Sequence, residues 1–240
     1  MDASLISMRR ADGAPVQPII TLSGVHLSLA SRAGKVEILR GIDLEVPRGV
    51  SVGIVGPSGS GKTTLLMAIA GLERVTSGTI SVAGRDLAHL SEDDLARFRR
   101  DHVGVVFQSF HLIATMTALE NVAVPLEFRG LDDALERARR ERDRVGLGHR
   151  IEHYPGQLSG GEQQRVAIAR AVAAGAAIVM ADEPTGNLDQ QTGQEIMDLL
   201  FALGPDRGTT LLLVTHDRAL AGACDRLIEI RDGRITASGE

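Results

Sequence analysis

Residues 56–64 read Gly56-Pro57-Ser58-Gly59-Ser60-Gly61-Lys62-Thr63-Thr64. A glycine, four residues, then Gly-Lys-Thr is the spacing of a phosphate-binding loop. The chemistry it suits is the cradling of a polyphosphate. Gly59 and Gly61 can take backbone angles that other residues resist, and they let an anion come close to main-chain N–H groups. Lys62 supplies a point charge for the β- and γ-phosphates, and the Thr63 hydroxyl a ligand for Mg²⁺. Val50–Val55 reads as a short buried strand before the loop, and Thr64–Ala70 as the first turns of a helix after it. A helix that starts at the loop turns its free N–H groups toward the phosphates.

Three further sets of residues fit the same chemistry. Ile178-Val179-Met180-Ala181-Asp182-Glu183 puts two carboxylates at the C-terminal end of an apolar strand, where open α/β sheets bind ligands. Asp182 suits a Mg²⁺ shell, directly or through water, and Glu183 is placed to orient or deprotonate an attacking water. An exposed acidic loop is the plainer account of that pair taken alone; a phosphate loop in the same chain favours the first. Gln108 and His216 each end a predicted strand. Gln108 could bridge Mg²⁺ and water, and His216 could hold a γ-phosphate.

Leu158-Ser159-Gly160-Gly161-Glu162-Gln163 opens a second helix. Ser159 can cap it, with Glu162 three residues on. Two glycines in a first turn weaken a helix, by roughly 1 kcal/mol each in its interior. They make sense if a ligand must approach the N–H groups closely. One γ-phosphate does not need two such helix starts from one chain. Two chains packed head to tail could each give a phosphate loop to one nucleotide and a Ser-Gly-Gly start to the other, and two-fold symmetry closes that arrangement.

The elements that must position these residues follow from composition and pattern. The 240 residues are 43% apolar and 2% aromatic, with no Trp and one Tyr, so the core is aliphatic, which suits buried parallel strands covered by helices. A formal net charge of −5 argues against a nucleic-acid binder that relies on overall charge, and no nucleic-acid partner is expected. The single Cys224 cannot form an internal disulfide and fits a reducing compartment. Apolar runs stay too short to span a bilayer, the best candidate, Val166–Ala181, being interrupted by Arg170. Arg9, Arg10 and Asp12 precede a Pro-containing stretch and not the apolar run of a signal peptide. The chain is expected to be soluble and to touch a membrane only through a partner.

Residues 1–18 read as a disordered leader. Ile19–Leu22, Val25–Leu29 and Val36–Leu39 read as short strands separated by Gly and Ser, and Ile42–Val46 alternates as a half-exposed strand. With Thr79–Val82 they form an antiparallel sheet. Ser91 opens a helix to about Arg100, and Val103–Phe107 is the next strand. Between 109 and 157 the texture changes: Thr117–Val122 and Leu131–Val145 read as helices, with breaks at Pro125, Gly130 and Gly146. Beyond, Ala177–Met180, Thr209–Thr215 and a hairpin turning at Asp232-Gly233 alternate with helices at Ser159–Ala174, Thr192–Leu203 and Ala219–Ala223. Alternating strands and helices imply a mainly parallel α/β sheet, preceded by an antiparallel β-subdomain and interrupted by a helical one.

Taken in order, Gly56–Thr63, Gln108, Leu158–Gln163, Asp182–Glu183, Gly186-Asn187-Leu188-Asp189 and His216 resemble an ABC-type ATPase over nearly the whole chain from about residue 18. The run Leu158–Gln163 separates ABC proteins from other phosphate-loop families. The resemblance implies a P-loop NTPase fold as one domain over residues 19–240. Residues 19–108 and 158–240 make its β-subdomain and RecA-like core, and 109–157 its helical subdomain. It implies an ATPase that hydrolyses ATP to ADP and phosphate, with Mg²⁺. ATP would be bound by Gly56, Pro57, Ser58, Gly59, Ser60, Gly61, Lys62, Thr63 and Thr64. Glu183, His216 and Gln108 would be catalytic, and Thr63, Gln108 and Asp182 would hold the metal. Ser159, Gly160, Gly161 and Glu162 would act in trans across an ATP-driven homodimer, with Asp189 in a loop that crosses the interface.

A narrower resemblance rests on Asp182-Glu183-Pro184-Thr185-Gly186-Asn187-Leu188-Asp189. It is similar to the group of lipoprotein-release (LolD), macrolide-export (MacB) and cell-division (FtsE) ATPases. Phe107-Gln108-Ser109-Phe110, Gln190-Gln191-Thr192-Gly193 and Cys224-Asp225-Arg226 look most like its YbbA type. That implies a peripheral subunit on the cytoplasmic face of the cell membrane. Its partner would be a force-transmitting permease whose coupling helix docks on the region after Gln108. The alternatives are a soluble ABC ATPase outside transport, which would carry coiled-coil or tandem-domain insertions absent here, and a regulatory ATP-binding module, against which Lys62, Glu183 and His216 all stand intact. One departure matters: the family stacks adenine on an aromatic residue at a position near Leu29, and no Phe, Tyr or Trp precedes Phe98. Weaker or less base-selective nucleotide binding is expected.

Overall fold

The computed structural model describes residues 18–31 and 34–239; apart from Pro18, which begins the first strand, the expected leader lies outside them. The chain makes two sheets. In the first, β1 (Pro18–Ser31), β2 (Gly34–Pro47), β4 (Ser77–Val82) and β5 (Arg85–Asp86) pair antiparallel in the order β2-β1-β4-β5. In the second, β3 (Ser51–Val55), β6 (Val103–Phe107), β7 (Ile178–Asp182), β8 (Thr210–Val214), β9 (Arg226–Arg231) and β10 (Arg234–Gly239) lie in the order β10-β9-β3-β8-β7-β6. All its pairs are parallel except the β9–β10 hairpin. That hairpin turns through Asp232 and Gly233 at φ 47° and 73°, the two positive angles a tight hairpin turn requires. The α/β class with an antiparallel sheet ahead of a mainly parallel one is as expected.

Two expectations change. The runs around Ile19–Leu29 and Val36–Val46 are two long strands, not four short ones. Two of their four register shifts fall at Gly24 and Gly41, each at positive φ, so the glycines bulge the strands without ending them. Pro125 does not break its helix either: α3 runs Ala118–Phe128 straight through it. The helix is held elsewhere. Thr117 and Glu120 form a capping box at its start, and buried Asn121 donates to the carbonyls of Ile113, Met116 and Thr117 while accepting from the Ile113 N–H. Those bonds offset the one that proline removes.

The remaining helices cover the parallel sheet. α1 (Lys62–Ile69) and α2 (Glu92–His102) share one apolar cluster with the antiparallel sheet and one face of the parallel sheet. On the other face, α3, α4 (Ala134–Arg144), α5 (Gly160–Ala173) and α6 (Gln190–Phe201) pack onto Val106, Val179, Leu211 and Leu213. The short α7 (Leu203–Arg207) and α8 (Arg218–Gly222) lead into β8 and β9. No helix among the described residues is long and apolar enough to cross a membrane. Cys224 is half-buried, and burial pushes its thiol up to about 12.

Candidate functional site

The phosphate loop leaves β3, at the centre of the parallel sheet, and enters α1. Its first glycine is fixed by crowding, since a Cβ on Gly56 would lie 2.1 Å from the Ile230 carbonyl oxygen. Gly61 sits at φ 104° as the residue before α1, and no side chain caps that helix. Its first N–H groups are therefore free for an anion. The Lys62 ammonium folds over the loop and donates to the carbonyls of Gly56 at 2.8 Å and Pro57 at 2.9 Å. The Gly233 N–H donates to the Ser60 carbonyl at 3.0 Å, which ties the loop to the β9–β10 hairpin. The Ser60 hydroxyl is buried with no hydrogen-bond partner among the described residues.

Parallel register then aligns the ends of three neighbouring strands. Phe107 pairs with Asp182, and Asp182 with Val214. Gln108, Glu183 and Thr215-His216 therefore leave the sheet side by side. The Thr63 hydroxyl donates to Asp182 Oδ2 at 2.9 Å, joining the loop to the end of β7. The Glu183 carboxylate lies 2.8 Å from His216 Nδ1. Glu183 is mostly covered while His216 is exposed, at 23% and 79% of their side-chain surfaces. Gln108 turns another way: its side-chain amide donates to Asn187 Oδ1 at 3.2 Å and its main-chain carbonyl accepts from Asn187 Nδ2 at 3.1 Å. It rests on Gly186, where a Cβ would lie 2.7 Å from its Nε2.

Thr63 and Asp182 offer only oxygen donors, and the described residues hold no group of three or more His, Cys, Asp and Glu poised for a metal. This fits Mg²⁺, which keeps waters and phosphate oxygens in its shell and takes only one or two protein groups.

At the second helix start, Ser159 caps α5, its backbone N–H donating to Glu162 Oε2 at 2.8 Å to close a capping box. That bond, more than any other, holds the Glu162 carboxyl below its ordinary range. Arg150 donates to the same carboxylate at 2.9 Å. The glycines here also have a reason within the chain. Gly161 is buried, and a Cβ on it would lie 2.4 Å from the Thr192 methyl. Close packing of α5 on α6 therefore demands a glycine whether or not a ligand comes near. Asp189 is the cap of α6, accepting from the Thr192 N–H at 3.0 Å and its hydroxyl at 2.6 Å, and the hydroxyl bond holds its carboxyl low. Among the described hydrogen bonds none joins this region to residues 56–64.

Some parts of the site went unread. Phe110 and His111 stand at φ 60° and 49° just after Gln108, and Arg170 of α5 donates to both carbonyls, at 2.9 and 2.7 Å. The one signal was an arginine inside an otherwise apolar helical run. Leu29 and Val36 are direct cross-strand partners near the C-terminal end of β1 and the N-terminal end of β2, and 39% and 45% of their surfaces are exposed.

Comparison with known proteins agrees with this geometry. A family model described as ABC transporter matches residues 39–186. The chain is 47% identical to the uncharacterized ABC transporter ATP-binding protein YbbA of Escherichia coli K12 over 223 residues, covering 92% of this chain and 98% of YbbA. It is 48% identical to the macrolide export ATP-binding/permease protein MacB of the same strain over 220 residues, 91% of this chain but 34% of MacB, so it spans about a third of that relative's length. The dimeric structure of MJ0796, a bacterial ABC transporter cassette, superposes with a TM-score of 0.85 at 39% identity, over 92% of this chain and 98% of that one. Its post-hydrolysis dimer, bound to ADP and Pi, matches equally well. The chain belongs to the ABC transporter family, as an ATP-binding, ATP-hydrolysing cassette.

Proposed function

We propose that residues 56–64 bind the phosphates of MgATP and that Glu183 is the general base of hydrolysis. The observation that supports this best is the pairing of Glu183 with His216 beside the Thr63–Asp182 contact. Lys62 and the first N–H groups of α1 neutralise the β- and γ-phosphates. Thr63, Asp182 and Gln108 would hold Mg²⁺, which would supply positive charge to offset that of the phosphates. Glu183 takes a proton from water as its oxygen attacks the γ-phosphorus; the bond to the β-phosphate oxygen breaks and ADP carries the electron pair away. His216 orients the carboxylate and reaches toward the γ-phosphate. Gln108 must leave Asn187 to reach the metal.

The second helix start completes the site from another copy. Ser159, Gly160, Gly161 and Glu162 lie on an element that none of the described hydrogen bonds ties to the chain's own phosphate loop. A head-to-tail homodimer brings them to the partner copy's γ-phosphate, with Asp189 at the interface. ATP closes the dimer and hydrolysis reopens it. A membrane permease of the force-transmitting type reads that cycle through residues 109–157, which we assign as the helical subdomain, and holds the cassette at the cytoplasmic face. Export or the extraction of lipid or lipoprotein is the work this pairing suits.

Co-purification tests the partner. Tagged Glu183→Gln is expressed in its native host, and membranes are solubilised with ATP and Mg²⁺. A multi-span protein with a large extracytoplasmic domain should co-purify; recovery from the cytosol alone would move the chain to the soluble ABC class. The nucleobase gives a second prediction. Leu29 and Val36 offer aliphatic surface where the family places an aromatic ring, and dispersion against methyl groups distinguishes bases poorly. Calorimetric affinities for MgATP and MgGTP should agree within about threefold, since only directed polar contacts discriminate strongly. A strong ATP preference would show that the base is read elsewhere.

A further inference from the structure

Glu183 carries its carboxylate on a backbone at φ 49°. A residue with a long side chain rarely takes this left-handed region and keeps it only where neighbours hold it there. Before the turn, the Glu183 N–H donates to the Val214 carbonyl at 2.9 Å, one step beyond the β7–β8 ladder. After it, the Gly186 N–H donates to the Glu183 carbonyl at 3.1 Å. Between these lies Pro184, whose carbonyl accepts from Gln164 Nε2 at 2.7 Å. Gln164 is the only side chain among the described residues that donates to that carbonyl.

Gln164 lies on the buried side of α5, with 0% of its surface exposed. The Pro184 carbonyl can only accept, so the amide NH₂ must face it. The amide oxygen is then left buried with no hydrogen-bond partner among the described residues. Leaving a buried polar atom unsatisfied is destabilising. Leu or Met would fill the same space without that penalty. The contact with Pro184 is what the glutamine offers in return, and it fixes the Pro184–Thr185 peptide, one residue beyond Glu183.

We propose that Gln164 is a positioning residue for Glu183, holding the left-handed turn that aims the carboxylate at His216 and at the attacking water. This rests on the reading of Glu183 as the base. Gln164→Met keeps the volume and cannot donate. Gln164→Leu also fills the apolar space and cannot donate either. In both, binding of MgATP should stay within about twofold of the parent, while kcat falls about 10- to 100-fold, the range expected when a reacting group drifts by about an ångström.

The decisive readout is a double-mutant cycle on the full chain, by single-turnover hydrolysis of radiolabelled ATP. In the Glu183→Gln background, Gln164→Met should slow hydrolysis no further, because its effect runs through a carboxylate already removed. Parental kcat in both Gln164 variants, a penalty that persists undiminished without Glu183, or a matching loss of ATP affinity would each overturn the proposal. So would failure of both variants to fold, since Gln164 would then be a core residue first. Undiminished turnover in Glu183→Gln alone would instead overturn the base assignment, independently of Gln164.

Discussion

Glu183→Gln is expected to slow steady-state hydrolysis about 10²- to 10⁴-fold while leaving ATP binding intact. The substitution keeps the size of the side chain and its bond to His216 Nδ1, 2.8 Å from the carboxylate in the parent. It removes the carboxylate proposed to take the proton of the attacking water. A positioned general base contributes about 10²- to 10⁴-fold, and turnover should fall by that factor. The phosphate loop, Lys62 and the Thr63–Asp182 pair are untouched, so MgATP should bind as before. If ATP closes a head-to-tail dimer and hydrolysis reopens it, the variant should stay dimeric once MgATP is added. Light scattering after size exclusion would read this directly: monomer without nucleotide, persistent dimer with it. Turnover close to the parental rate would mean that another group accepts the proton.

Lys62→Ala should act on the other half of the cycle. Its ammonium sits 2.8 and 2.9 Å from two loop carbonyls, held over the loop, and it is the only cationic side chain in residues 56–64. Removing one member of a desolvated charged contact costs about 2–5 kcal/mol. The N–H groups of the loop and of α1 remain, so binding should weaken about 100-fold without vanishing. Lys62→Arg should not restore it, because a planar guanidinium cannot stand in for a compact ammonium between closely spaced oxygens. Calorimetry with MgATP reads the loss, and an unchanged melting temperature shows that the fold survives. Affinity within threefold of the parent in Lys62→Ala would remove the lysine from the phosphate site.

How much of this was legible in the chain depended on the range of the interaction. The phosphate loop, both capping serines, the Asp232-Gly233 turn and the apolar strands follow from contacts among residues a few positions apart, where spacing alone constrains geometry. Pattern also indicated that Gln108, Glu183 and His216 end strands. Pattern was less informative where one residue type serves two physical roles. Gly24 and Gly41 interrupt the apolar alternation, and sequence alone cannot tell a strand end from a bulge; pairing with a neighbouring strand decides. Pro125 argues against a helix, and bonds from Asn121 and a capping box four and more residues earlier overrule it. Gly161 looked like room for a ligand, and a methyl of Thr192 on another helix already requires it.

By itself, then, the sequence determined the kind of chemistry, through residue types whose function depends on local spacing: a loop with the spacing suited to phosphate, carboxylates at a strand end, a second glycine-rich helix start. The tertiary structure alone decided which of those residues meet. Parallel register sets Asp182 between Phe107 and Val214, and the helix after the phosphate loop carries Thr63 to it across a separation of 119 residues. The strained turn at Glu183, the amide of Gln164 beneath it and the grip of Arg170 on Phe110 and His111 are contacts between elements far apart in the chain. No local pattern specifies them, because a buried hydrogen bond between distant elements forms only when packing has brought both partners into one place.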